Sequence, residues 1–114
     1  MRVSDYRMTL RRIAVRDDTV VEWMQSDHDG PSAEATLDYR ACGLVRIAAL
    51  IAAGGSVPSY RRAAELARLG GATPEEIVAV LAAVAPTVGV DRSVAEAPKL
   101  GLALGYDVDD ALDA

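Results

Sequence analysis

Between Leu37 and Tyr106 the chain is a succession of apolar, alanine-rich segments broken where glycine and proline cluster, at Gly54-Gly55, Gly70-Gly71 and Pro86. No stretch alternates apolar and polar residues with period two, so the segments between the breaks read as helices. Asp38 to Ala53 is apolar on nearly every side after Arg46, the pattern of a central helix covered by neighbours or by other subunits. Ser56 is a good N-cap for the next helix, which tolerates Pro58 in its first turn and runs to Leu69. Thr73-Pro74-Glu75-Glu76 is the sharpest boundary: Thr73 caps, Pro74 takes the first helical position, and Glu76 closes a capping box. The helix from Pro74 continues through Ile77, Val80, Leu81 and Val84, and is expected to kink or end at Pro86, which has no N–H for the carbonyl of residue 82. Asp91 is placed to cap a further helix, Arg92 to Leu104, interrupted at Pro98, and Asp107 to cap a short acidic tail helix.

Upstream, Tyr6 to Ala14 and Thr19 to Gln25 are short amphipathic pieces separated by Arg16-Asp17-Asp18, with Asp18 placed to cap the second. Ser26 to Thr36 is rich in turn formers and nearly devoid of large apolar residues, as in a loop or ordered crossover. At 114 residues the chain is a single domain, in which 1–36 supplies N-terminal helices and a loop, 37–106 the core and 107–114 a tail. Such a core is marginal, and 51% hydrophobic residues without one Phe gain little area each, so the helices must approach closely. Apolar side chains cover more faces of Ile47 to Ala53 and of Ile77 to Val84 than a monomer easily covers, which predicts a homo-oligomer with both segments in its interface. A net charge of -5 argues against nucleic acid, because phosphate binding needs a basic surface. Residues Met1 to Arg7 lack the apolar run of a secretion signal and no apolar stretch reaches the length of a membrane span, so the expected location is cytoplasmic, with no membrane partner. The single Cys42 permits no internal disulfide.

The run L-D-Y-R-A-C-G-L-V-R-I-A-A-L-I-A-A, followed by a second helix and then by G-A-T-P-E-E-I, resembles the carboxymuconolactone decarboxylase family, which includes the alkyl hydroperoxidase D-like thiol peroxidases. The resemblance covers roughly the last two thirds of the chain. It implies an all-α, alkyl hydroperoxidase D-like bundle of about five to seven helices that assembles into trimers or hexamers. Peroxidase members carry a CxxCxxxH motif, and the frame places Ser56, Ser59 and Ala63 on its three positions. A serine hydroxyl neither forms a disulfide nor ionises as a thiol does, so dithiol peroxide reduction is not expected. Ala63 also removes the histidine that decarboxylase members keep for proton exchange, and Cys42-Gly43-Leu44-Val45 offers no carboxylate where peroxidases have one. The implied protein is a noncatalytic small-molecule-binding or scaffold oligomer without a cofactor. The alternative is a lyase or decarboxylase acting on an organic acid or lactone through non-thiol residues.

The candidate ligand-binding face is therefore Ser56, Ser59, Tyr60, Arg61, Arg62 and Ala63, where hydroxyls and guanidinium groups fit a small organic acid. Against this stands a plain packing face: a cap serine, a surface serine and small residues at helical spacing, with Arg61 placed to pair with Glu65. Tyr60 and His28 are the catalytic candidates, Tyr60 as a proton donor and His28, between Asp27 and Asp29, as a base. His28 lacks the companions of a metal site, and no metal is expected. Cys42, in an apolar helix, reads as an inert packing residue.

Overall fold

All but one of the described helices start at a short polar side chain that accepts otherwise unpartnered first-turn N–H groups. The computed structural model describes residues 5–25 and 36–113, and among these it is all-helical: α1 (Tyr6–Ala14), α2 (Asp18–Gln25), α3 (Tyr39–Ala53), α4 (Val57–Leu69), α5 (Pro74–Val88), α6 (Val90–Ala103) and α7 (Val108–Asp113). Asp5 caps α1 and Asp38 caps α3. The Ser56 hydroxyl accepts from the Ser59 N–H at 3.3 Å, and Asp107 accepts from the Asp110 N–H at 3.0 Å at the start of α7. The capping box is complete: Thr73 Oγ1 accepts from the Glu76 N–H and the Glu76 carboxylate accepts from the Thr73 N–H, both at 3.1 Å.

Four features differ from the sequence expectation. Asp17 rather than Asp18 caps α2, because its carboxylate sits one residue earlier and accepts the N–H groups of Thr19 and Val20. The α5 helix does not end at Pro86 but runs on to Val88, and α6 runs through Pro98 without interruption. The carbonyls these prolines leave without a helical donor belong to Ala82 and Val94, both exposed residues at the surface of the bundle. Asp91 lies inside the first turn of α6 and does not cap it; Gly89, at φ 100°, ends α5 and starts α6 with no side-chain cap.

Helices α3 to α6 form the body. Its core joins Ile47 and Ile51 of α3, Tyr60, Ala63, Ala64 and Ala67 of α4, Ile77 of α5 and Leu100 of α6. The central pair, α3 and α4, packs nearly backbone to backbone: a methyl group added at Gly43 would overlap the Ala67 main chain, and one at Gly70 would overlap that of Arg40. Small side chains permit this approach and compensate for the area that an alanine-rich core lacks. An Arg40–Glu76 ion pair links α3 to the start of α5. Helices α1 and α2 pack on each other, joined through Arg16 at φ 55° and an Arg12–Asp17 ion pair at 3.3 Å, and neither packs on α3 to α7. Among the described residues no single helix is long and apolar enough to cross a membrane.

Candidate functional site

The α4 helix divides the sequence candidates between two sides. Tyr60, Ala63 and Ala67 point into the core, while Ser56, Ser59, Arg61 and Arg62 stay at the surface. Tyr60 is fully enclosed. Its hydroxyl donates to Glu96 Oε1 at 2.8 Å, the same oxygen accepts the Gly55 N–H at 2.8 Å, and Lys99 Nζ donates to Oε2 at 2.9 Å. Glu96 is only 3% exposed, so α6 sends a carboxylate into the core to close α4 and the turn before it. Burial opposes the Glu96 charge, yet the hydrogen bonds from Lys99, Tyr60 and the Gly55 amide outweigh it and hold the carboxyl below the usual carboxylate range. Burial first, and then the bond to charged Glu96, push the Tyr60 phenol above its ordinary range. The Tyr60 proton is thus held by Glu96 rather than presented to a ligand.

The surface side of α4 forms a two-lobed groove with α3. The smaller lobe, about 410 Å³, is lined by Arg46, Ala49, Leu50 and Ala53 of α3 together with Ser59, Arg62 and Ala63 of α4. The larger, about 570 Å³, shares Arg46 and Arg62 and adds Pro58, Arg61, Glu65, Leu66 and Leu69. No ion pair joins Arg61 to Glu65, contrary to the spacing expectation; both side chains line the larger lobe. Glu65 works against an anion in that lobe, whereas the smaller lobe has two guanidinium groups, a serine and an alanine-leucine floor, with no carboxylate among the described residues that line it. Such a lining suits a small acid with an apolar body, because a guanidinium binds a carboxylate through paired N–H donors. The Ser56 hydroxyl is occupied as the α4 cap and donates to Ser59 Oγ at 3.0 Å, so Ser59 is the serine of the groove.

Ser59, Arg62 and Ala63 thus share one lobe and Arg61 and Arg62 the other, while Tyr60 and Ser56 line neither. His28 lies outside the described residues. Cys42 is partly buried, and its thiol makes a long 3.8 Å contact to the Leu37 carbonyl. Among the described residues no three metal-ligating side chains come together. Sequence reasoning passed over two residues. Arg46 was legible as a lone cation amid the apolar stretch of α3, and Glu96 as a carboxylate three residues after Ser93 and four before Leu100, on the face that packs inward. Compared with family models, with curated proteins and with solved structures, the chain matches none of them.

Proposed function

We propose that this chain is a divergent carboxymuconolactone decarboxylase-like protein of the alkyl hydroperoxidase D-like kind, which has lost that family's thiol and histidine chemistry and works as a noncatalytic, oligomeric binder of a small organic acid. The observation that carries the reading is the smaller lobe of the α3–α4 groove, where Arg46 and Arg62 stand beside Ser59 above an apolar floor. The motif frame supports it from the sequence, since Ser56, Ser59 and Ala63 occupy the positions of the CxxCxxxH residues. Tyr60, the proton-donor candidate on α4, is enclosed in the core and bound to Glu96, which favours binding over a lyase reaction. Self-association is supported by the outer face of α5, where Val78, Ala79, Ala82 and Ala83 are exposed and uncharged. Ile47, Ile51 and Ile77 belong to the chain's own core, so the interface draws on the outward residues of those helices.

Ligand-observed NMR with benzoate and succinate tests the binding. Saturable contact with either acid is expected, weakened at least about tenfold by Arg62→Gln or Arg46→Gln, the loss of one charge-assisted pair. Equal response of parent and both variants would refute the site. Light scattering at micromolar concentration is expected to return a multiple of 12.0 kDa, and a monodisperse monomer would refute the assembly.

A further inference from the structure

Among the described helices, α1 and α7 bury no residue, and they carry opposite charge. Residues 1–16 hold Arg2, Arg7, Arg11, Arg12 and Arg16 against the single Asp5, whereas residues 107–113 hold Asp107, Asp109, Asp110 and Asp113 and no cation. The spacing of Tyr6, Leu10 and Ile13 puts them on one face of α1, with Arg7 and Arg11 along its edge. Tyr6 and Leu10 are 66% and 60% exposed. At the opposite end of the chain Tyr106 and Leu112 are 60% and 78% exposed, with Asp109 and Asp113 beside Leu112 on α7. The α1 helix therefore presents an apolar strip flanked by cations, and the α7 end presents two exposed apolar side chains, Tyr106 before the helix and Leu112 on it, among carboxylates. Within one chain they do not meet, since α1 packs only on α2 and α7 only on α6.

We infer that α1 of one copy docks on the α7 end of a second copy, Tyr6, Leu10 and Ile13 covering Tyr106 and Leu112 while Arg7 and Arg11 face Asp109 and Asp113. Reciprocal exchange covers both patches in two equivalent contacts related by a two-fold axis, which closes the pair. An anionic bilayer is the poorer occupant: it would attract α1 but repel a chain of net charge -5, and a nine-residue helix offers it little apolar area. The inference rests on the reading that the chain self-associates, but it uses neither the groove nor the α5 face.

Directed cross-linking of the full chain tests it. Leu10→Cys and Leu112→Cys chains, each also carrying Cys42→Ser, are mixed and oxidised, with a Leu10→Cys and Val94→Cys pair as control, Val94 being exposed on α6. The first pair is expected to yield covalent heterodimer well above the control, and raising salt from about 0.05 to about 0.5 M is expected to lower the yield roughly tenfold. Arg7→Glu with Arg11→Glu on the Leu10→Cys chain should abolish the product, and Asp109→Lys with Asp113→Lys on the partner chain should restore it. These changes lie outside the packed body, and circular dichroism checks that helix content is unchanged. Equal yield with the control, closure only within a chain carrying both cysteines, or capture of α1 by phosphatidylserine vesicles with no salt-sensitive cross-link would each overturn the inference. A higher mass by light scattering without the cross-link defeats this contact alone, while a monomer defeats the assembly reading as well.

Discussion

Replacing Tyr60 by Phe removes one oxygen from the core and leaves the ring, so its effect isolates the bond to Glu96. That bond is 2.8 Å long, enclosed and accepted by a carboxylate that keeps the Gly55 amide and Lys99 as partners. Loss of a hydrogen bond to a charged group costs about 1.5–3 kcal/mol. For a chain of this size 1 kcal/mol corresponds to roughly 4 °C, so Tyr60→Phe should melt about 6–12 °C below the parent near pH 7. The deficit should also depend on pH. The folded Glu96 carboxyl is held below its unfolded value, so its contribution is present above about pH 4.3 and disappears as pH falls through the lower folded value. Phe at position 60 removes one cause of that depression and weakens this contribution. The folded Tyr60 phenol is held above its unfolded value, so it contributes below about pH 10 and its contribution falls away as pH rises from there toward the folded value. The parent therefore loses stability in alkali that the variant never had. Thermal melts followed by circular dichroism at about pH 3, 7 and 10.5, at one protein concentration, should show the gap widest at pH 7 and narrower at both ends. Superimposed melts at pH 7, or a gap constant across pH, would refute the network.

Gly43→Ala should destabilise by about 1–3 kcal/mol or more in urea unfolding, because the added methyl forces α3 away from the Ala67 backbone. Thr73→Ala should cost roughly 0.5–2 kcal/mol through the lost bond to the Glu76 amide, lowering the melting temperature; unchanged melts would place the cap's contribution elsewhere. Purified protein should show no dithiol-dependent hydroperoxide reduction, and Cys42→Ser should leave that result unaltered; turnover abolished by this substitution would overturn the reading of Ser56 and Ser59.

The helix-starting signals that the sequence determined are local ones. Ser56, Thr73 with Glu76, and Asp107 cap their helices as their positions require, because an N-cap needs only a side chain within reach of an amide two or three residues on. That α5 does not end at Pro86 and α6 is not interrupted at Pro98 has a non-local side: how a helix tolerates an internal proline depends on what surrounds the residue whose carbonyl loses its donor, and the bundle leaves Ala82 and Val94 exposed. Glu96 shows the same division. Its place on the inner face of α6 follows from helical period, but its partners Tyr60 and Gly55 lie 36 and 41 residues away along the chain. The groove is equally tertiary, since Arg46 and Arg62 share it only because Gly43 lets α3 press against α4. Sequence spacing places a side chain on a face of its own helix; which face is covered, and by what, is decided by contacts between helices distant in the chain.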